Sequence, residues 1–158
     1  MIRQATRGDL STLIELGMMM HAESPRYRHH TFRADKLATL GEQLIDTGIV
    51  LLEEEDGEAI GMAIGFVMEQ FFTDARLAAD LAVYVVPAAR GGRAFLRLVK
   101  AFEARAVELG ADEISLGVST DIDTEGTAGL YQRLGYRRAS IGMVKYVHTE
   151  SGHRAAAG

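Results

Sequence analysis

Hydrophobic positions along the chain change their spacing several times, and each spacing predicts a different element. Residues 2–5 are short and extended. Apolar positions three or four residues apart predict a helix from about residue 9 to residue 20 and a second helix over 35–46. Residues 21–31 break this period and hold several polar and charged side chains, so a loop is expected between the two helices.

Apolar runs predict three strands in the middle of the chain. Residues 49–52 and 59–68 flank the acidic run 53–56, which predicts a hairpin whose charged tip is solvated. Residues 71–79 are expected to form a connector. The run 81–86 has no polar residue, so it predicts a strand that is covered on both faces.

The second half of the chain alternates between the two spacings. A long helix is expected to open at Gly91 or Gly92 and to reach about residue 109. Alternating apolar positions predict a strand over 114–118. A shorter helix is expected over 124–134, followed by a last strand over 136–147.

The predicted order is therefore β-α-α-β-β-β-α-β-α-β, which is typical of a mixed α/β protein. Strands that alternate with helices predict partly parallel pairing in the second half. Without a repeat or a linker, residues 1–148 are expected to form a single domain. The Ala-, Gly- and Ser-rich residues 149–158 are expected to be a disordered tail.

Composition narrows the classes of function. The chain has 158 residues, of which 47% are hydrophobic and 25% charged, as in ordinary globular domains. It has no Cys, which excludes disulfides, thiolate metal sites and a cysteine nucleophile. The net charge of −5 argues against a nucleic-acid partner, and no apolar run is long enough for a membrane partner. We expect a cytoplasmic protein without a metal site.

The segment from Val83 to Leu96 is the most informative for chemistry. An apolar strand runs into a turn with two glycines, and the turn leads into the long helix. The first turn of a helix has unpaired N–H groups that can bind phosphate, and glycines let a ligand approach the backbone. Four cations gather at this helix start, namely Arg90, Arg93, Arg97 and Lys100. The alternative is a tight turn beside solvated arginines.

Two motifs together resemble the GNAT N-acetyltransferase superfamily. The first is Arg90-Gly-Gly-Arg-Ala-Phe95, and the second is Thr124-Glu-Gly-Thr-Ala-Gly-Leu-Tyr-Gln-Arg-Leu-Gly-Tyr136. The predicted order of elements over residues 2–147 is also similar to that of the family. The resemblance implies the GNAT fold, a central and mostly antiparallel sheet that splits between two parallel strands. It also implies that acetyl-CoA is the cosubstrate.

The resemblance further implies which residues bind the cosubstrate. Backbone amides of the phosphate turn would hold the pyrophosphate, and the preceding strand would pair with the pantetheine arm. The residues so implied are Val83, Tyr84, Val85, Arg90, Gly91, Gly92, Arg93, Ala94, Phe95 and Thr124.

Three positions depart from the family pattern. In the ungapped register Arg93 and Phe95 stand at small-residue positions of the motif, whereas a shift by one residue places Ala89 where Arg or Gln belongs. Thr124 stands where the family often has Asn. We prefer the ungapped register because it keeps the apolar stripe of the long helix in phase.

Three residues are candidates for proton transfer. The resemblance implies that Tyr131 protonates the departing CoA thiolate, and the alternative is a core tyrosine on an amphipathic helix. Asp80 at the start of a strand and Glu69 at the end of its neighbour are candidates for the general base. For both carboxylates the alternative is a solvated charge, with water acting as the base.

The sequence thus predicts an enzyme that transfers an acetyl group from acetyl-CoA to a primary amine by direct attack in a ternary complex. The amine belongs to a small molecule or a peptide. Arg and His side chains in the loop 21–31 could select an anionic acceptor, or they could simply be solvated. A homodimer is plausible on family grounds. One alternative function is a CoA-binding regulator or interaction module of the same fold with little turnover, and a second is a structural module that binds no nucleotide.

Overall fold

The computed structural model describes residues 1–147, so the predicted disordered tail at 149–158 lies outside the described residues. Residues 1–17 and 34–117 form one compact unit. A second unit contains residues 18–33 and 118–147. Whether residues 1–148 act as a single domain stays a prediction.

Five strands and four helices make up the regular structure of residues 1–147. Three short 3-10 turns at Arg7–Asp9, Tyr27–His29 and Pro87–Ala89 connect some of them. In chain order the elements are β1 (Ile2–Gln4), α1 (Leu10–Glu23), α2 (Ala34–Thr47), β2 (Ile49–Glu55), β3 (Glu58–Glu69), β4 (Arg76–Val85), α3 (Ala94–Glu108), β5 (Glu113–Ser115) and α4 (Thr124–Arg133).

The five strands form one sheet in the order β1-β2-β3-β4-β5. Each neighbouring pair is antiparallel except β4 and β5, which are parallel. The parallel pairing joins only Leu77–Ala79 to Glu113–Ser115, whereas β4 continues to Val85. This arrangement confirms the predicted mixed α/β class and the mostly antiparallel sheet that splits between two parallel strands.

Helix α3 covers one face of the sheet and supplies much of the core. Its residues Leu98, Val99, Phe102 and Ala106 have no exposed surface, which confirms the predicted apolar stripe. The contact with β3 is close at Gly65, where an added Cβ would lie 2.5 Å from the ring of Phe102. Glycine at this position therefore lets the helix pack directly on the sheet.

Several predicted boundaries are wrong. Helix α1 extends to Glu23, so the loop before α2 is shorter than expected. Strand β4 begins at Arg76, within the expected connector, because its first residues pair with both neighbouring strands. It is also not covered on both faces, since Leu81 is exposed. Helix α3 begins at Ala94, and Gly91 lies before it in a left-handed conformation (φ +84°).

The predicted last strand is absent from residues 136–147, which have no regular secondary structure. Their alternating pattern leaves Ile141 and Met143 almost fully exposed. Alternation determines which side chains share a face, but a strand also needs a neighbour that supplies backbone hydrogen bonds. No such neighbour pairs with this segment among the described residues.

The prediction that the whole acidic run 53–56 is solvated is wrong. The side chain of Glu53 is completely buried. Arg97 in α3 donates to both of its oxygens, from Nη2 to Oε1 at 2.8 Å and from Nε to Oε1 at 3.1 Å and to Oε2 at 3.2 Å. The Met1 amino group lies 3.1 Å from Oε1. A buried carboxylate is stable here because cations and hydrogen bonds compensate it.

In the second unit, the chain around Ser24 packs on residues 119–120. The Ser24 hydroxyl is buried and donates to the carbonyl of Thr120 at 2.5 Å, while it accepts from the backbone N–H of Tyr27 at 3.0 Å. The Tyr27 hydroxyl donates to Ser119 Oγ at 2.7 Å. These bonds hold the turn in one conformation.

No helix within residues 1–147 combines the length and the apolar character that crossing a membrane requires.

Candidate functional site

The glycine turn joins the end of β4 to the start of α3. Pro87–Ala89 form a single 3-10 turn, and the Arg90 N–H donates to the carbonyl of Pro87 at 3.2 Å. Gly91 follows in the left-handed region, which other residues rarely adopt. The backbone therefore requires glycine at position 91.

Gly92 has no such backbone requirement, because its φ is not left-handed. An added Cβ there would meet only the carbonyl oxygen of Ala89, at 3.8 Å, and one at Gly91 would meet nothing within 4 Å. The space above both glycines is thus open. Neither packing nor backbone strain explains why position 92 lacks a side chain.

The cations at this helix start differ in their surroundings. The Arg90 Nε donates to the carbonyl of Val85 at 3.0 Å, and its guanidinium lies 5.5 Å from the centre of the Tyr84 ring. Arg93 is the N-cap residue of α3. Arg97 pairs with the buried Glu53, so its charge is largely compensated. The predicted cationic cluster is therefore weaker than the sequence indicates.

Residues 83–85 form the end of β4, next to the turn. Tyr84 and Val85 are buried and Val83 is half-buried. On one side the three residues pair with Gly61–Ala63 of β3. On the other side no strand of residues 1–147 pairs with β4 beyond Ala79, because β5 ends at Ser115. The pairing between β4 and β5 therefore ends before residues 80–85.

Asp80 lies in the middle of β4, and the prediction that it starts the strand is wrong. It is the first β4 residue beyond the parallel pairing. Its partner on β3 is Gly65, whereas Ile64 pairs with Ala82, so Leu81 is the extra residue of a β-bulge. Bulges redirect side chains and are common beside active sites.

The Asp80 carboxylate is half-buried and accepts a hydrogen bond from the backbone N–H of Gly117 at 2.9 Å. Burial raises the pKa of Asp80 above its ordinary value, and the bond from Gly117 offsets this rise only partly. A carboxylate of raised pKa is a stronger base than a solvated one.

Glu69 is different. It is the exposed last residue of β3 and pairs in register with Arg76 of β4. Its surroundings are those of an ordinary strand end.

The remaining candidates, Thr124 and Tyr131, lie on α4 in the second unit. Tyr131 is buried, and its ring centre lies 5.6 Å from that of Tyr136. Thr124 is the first residue of the helix, and its hydroxyl donates to Asp121 at 3.3 Å. The N-cap is Asp123, whose carboxylate accepts from the Gly126 N–H at 3.1 Å. Asp before a helix is a standard capping signal, so this cap can be identified from the sequence.

Comparison with known families decides the identity. Residues 16–136 match the sequence profile of the acetyltransferase (GNAT) family, and this range spans both motifs. The chain belongs to the GNAT family of acetyltransferases. The family membership confirms the resemblance found in the sequence, and no curated protein sequence matches the chain.

Solved structures show the same GNAT fold. An aminoglycoside acetyltransferase from an uncultured soil metagenomic sample is 20% identical, with a TM-score of 0.72 over 94% of this chain and 98% of that one. AAC(6')-Iy, in complex with a bisubstrate analogue that contains CoA, is 17% identical, with a TM-score of 0.75 over 94% and 97%.

A third structure is glucosamine-6-phosphate N-acetyltransferase from Arabidopsis thaliana, 17% identical with a TM-score of 0.71 over 94% and 98% of the two chains. At these identities the likeness concerns the fold. The CoA-containing complex among these structures agrees with acetyl-CoA as the cosubstrate of this GNAT protein.

Proposed function

We propose that this GNAT protein transfers the acetyl group of acetyl-CoA to a primary amine, which attacks the thioester directly in a ternary complex. The observation that carries the proposal is the open turn at Gly91 and Gly92 before α3. Gly91 satisfies a backbone requirement, but the missing side chain at Gly92 serves no packing purpose. A ligand that approaches the backbone closely explains it.

The turn suits the pyrophosphate of acetyl-CoA. The first N–H groups of the 15-residue helix α3 carry a partial positive charge and need acceptors. The backbone amides of Gly91, Gly92, Arg93 and Ala94 are the proposed donors, since the Arg90 N–H already donates to the carbonyl of Pro87. Arg90, which is tied to Val85, keeps a cation beside the turn.

The edge of β4 near its end suits the pantetheine arm. Val83, Tyr84 and Val85 lie in the part of β4 that continues beyond its pairing with β5. An amide-containing arm that lies along this edge would pair with them as an added strand does. Acetyl-CoA supplies the activated acetyl group.

Asp80 is the proposed general base. A primary amine is mostly protonated at neutral pH and must lose a proton before it can attack. Asp80 lies where β4 and β5 separate, and its raised pKa suits a proton acceptor. Glu69 is the weaker candidate because it is exposed at a strand end.

Tyr131 is the proposed general acid. The departing CoA thiolate needs a proton, and a phenol with a pKa of about 10 can protonate a thiolate whose thiol has a pKa of about 8.5, in a transfer that is slightly uphill. Thr124, near the start of the same helix, is proposed to contact the cosubstrate through its hydroxyl. The chain has no Cys, which favours direct attack over an acetyl-thiol intermediate.

The names of the similar structures support an amine acceptor. They are an aminoglycoside acetyltransferase and a glucosamine-6-phosphate N-acetyltransferase, whose acceptors are small-molecule amines. A peptide amine fits the same chemistry.

The first test is calorimetric titration with acetyl-CoA, repeated on Gly92→Asp. The position is open and has an ordinary φ, so the variant is expected to fold. We expect binding by the wild type and its loss in the variant, because a carboxylate repels the pyrophosphate. Equal binding by both proteins would refute the proposed phosphate site.

The second test is acetyl transfer to a panel of primary amines, with Tyr131→Phe as the variant. We expect intersecting initial-rate lines, no acetylated protein by mass spectrometry, and a lower kcat in Tyr131→Phe. Binding of acetyl-CoA without transfer to any amine would favour a CoA-binding regulator instead.

A further inference from the structure

The side chain of Arg90 joins the end of β4 to the glycine turn. Its Nε donates to the carbonyl of Val85 at 3.0 Å, while its backbone N–H donates to the carbonyl of Pro87 at 3.2 Å. Arg90 therefore bonds both to the last residue of the strand and to the 3-10 turn that follows it. It is also the last residue before Gly91, where the backbone enters the left-handed region.

The Val85 carbonyl is directed away from β3. The N–H of Val86 donates to the carbonyl of Ile60 at 2.9 Å, so the backbone groups of residue 86 face β3. Neighbouring residues of a strand in an antiparallel ladder direct their backbone groups to opposite edges. The carbonyl that Arg90 contacts therefore lies on the edge of β4 where we propose the pantetheine arm.

The guanidinium of Arg90 is also held by an aromatic ring. It lies 5.5 Å from the centre of the Tyr84 ring, a distance at which a cation is attracted to an aromatic face. Tyr84 is buried, so the position of its ring is fixed by the core. The hydrogen bond to Val85 and the contact with this ring together orient the Arg90 side chain.

Packing contributes little to the conformation of the glycine turn. An added Cβ at Gly91 would meet nothing within 4 Å, and one at Gly92 would meet only the carbonyl oxygen of Ala89. Glycine also has more backbone freedom than any other residue. The conformation of the turn therefore depends on its two ends. Arg90 holds the first end through β4, and the buried Ala94 holds the second at the start of α3.

We infer that Arg90 is a positioning residue for the cosubstrate: through its bond to Val85 it holds the backbone amides of residues 91–94 in the orientation that binds pyrophosphate. The inference rests on the proposed acetyl-CoA site. It assigns the effect of Arg90 to the N–H donor at Nε, and not to a contact between its charge and a phosphate. Donors that are fixed before binding lower the entropic cost of binding.

Three substitutions separate the donor from the charge. In Arg90→Gln the amide nitrogen takes the place of Nε, so the donor is kept and the charge is lost. Arg90→Met has a methyl group in that place and loses both. Arg90→Lys keeps the charge but has a methylene group in place of Nε. Arg105→Gln is the control, because Arg105 pairs with Glu108 near the other end of the same helix.

We expect Arg90→Met and Arg90→Lys to weaken acetyl-CoA binding by about tenfold in calorimetry, a factor that the loss of one hydrogen bond from a charged donor allows. Arg90→Gln should stay within about threefold of the wild type, since it loses only the cation–π contact. Arg105→Gln should equal the wild type. In rate assays the KM for acetyl-CoA should rise in Arg90→Met. Its kcat, its KM for the amine and its melting temperature should not change, whereas a general loss of folding would change all three.

The conformation of the turn is measured separately, in the protein without acetyl-CoA. Backbone amide relaxation measured by NMR should give lower order parameters for Gly91 and Gly92 in Arg90→Met than in the wild type. Arg90→Gln should keep the wild-type values, because the bond to the Val85 carbonyl is retained.

Equal acetyl-CoA affinities of Arg90→Gln and Arg90→Met would overturn the inference, even if the wild type acetylates amines. Wild-type affinity in Arg90→Lys together with a loss in Arg90→Gln would also overturn it, because the charge would then be the active feature. If the wild type does not bind acetyl-CoA, the proposed function fails. In that case the order parameters decide alone: reduced values in Arg90→Met would support the role of Arg90 in holding the turn, and unchanged values would refute it.

Discussion

Two carboxylates in the first unit have opposite environments, Glu53 on β2 and Asp80 on β4. Glu53 is completely buried. Its burial raises the pKa, but hydrogen bonds from Arg97 and the amino terminus lower it below the ordinary value. Asp80 is only half-buried, yet its pKa is raised, because burial is opposed only by backbone hydrogen bonds.

The comparison shows that the partner, and not the depth of burial, decides what a carboxylate can do. Glu53 faces a guanidinium and holds its negative charge firmly, so it fixes α3 to β2. Asp80 is positioned by the neutral N–H of Gly117 and has no ion pair among residues 1–147. It can therefore take up a proton at lower cost, as a general base must.

The largest expected effect is a loss of turnover on substitution of Asp80 but not of Glu53. Asp80→Asn should lower kcat/KM for an amine by about 10²- to 10⁴-fold, because the amide cannot accept the proton. Glu53→Gln should keep most of the turnover, since Glu53 only joins α3 to the sheet. Initial rates with saturating acetyl-CoA measure both, and calorimetry should show unchanged acetyl-CoA binding by Asp80→Asn. A loss of turnover in Glu53→Gln without loss in Asp80→Asn would reverse the assignment.

The variant that keeps its turnover is expected to be the less stable of the two. Glu53→Gln is expected to lower the free energy of unfolding by about 1–2 kcal/mol, because the charge-assisted bonds from Arg97 become neutral ones. Asp80→Asn should leave it unchanged or raise it slightly, because it removes the cost of a partly buried charge and keeps an acceptor for Gly117. Urea unfolding at pH 7 measures both. Equal losses in the two variants would contradict the comparison.

The pH dependence of stability should also differ in sign. The lowered pKa of Glu53 stabilises the folded state above the unfolded pKa of about 4.3, and this contribution is lost as pH falls further. The raised pKa of Asp80 destabilises the folded state at neutral pH, and this cost is relieved as pH falls through the folded pKa. Urea unfolding is measured between about pH 7 and pH 3. As pH falls, the free energy of unfolding of the wild type should decrease relative to that of Glu53→Gln and increase relative to that of Asp80→Asn.

Local patterns in the sequence predicted most of the fold. The stripe of Leu98 and Phe102 on α3 is a strong periodic signal, and the structure buries both residues. The predictions of the last strand and of the start of β4 were wrong for the same reason. Whether an extended segment becomes a strand depends on a distant partner, which supplies its hydrogen bonds. Alternation alone cannot show whether that partner is present.

The candidate site was predictable where the chemistry is local. The turn at Gly91 and Gly92 and the neighbouring helix are visible in the sequence. The environment of Glu53 could not be predicted from the sequence, because its partner Arg97 lies 44 residues away along the chain. The environment of Asp80 depends in the same way on Gly117 and on the bulge at Leu81. Burial and partners of a carboxylate are properties of the fold, and sequence neighbours do not reveal them.

The smallest expected effect concerns Glu69, the third carboxylate and the second candidate for the base. It is exposed at the end of β3, opposite Arg76, so solvent screens its charge and offers other proton acceptors. Glu69→Gln should change the free energy of unfolding by less than about 0.5 kcal/mol and kcat/KM by less than about twofold. The same rate and urea assays as for Asp80→Asn measure both quantities. If Glu69→Gln lowered kcat/KM as strongly as Asp80→Asn is expected to, an exposed carboxylate could serve as the base in this protein. The environment of a carboxylate would then not identify the catalytic residue.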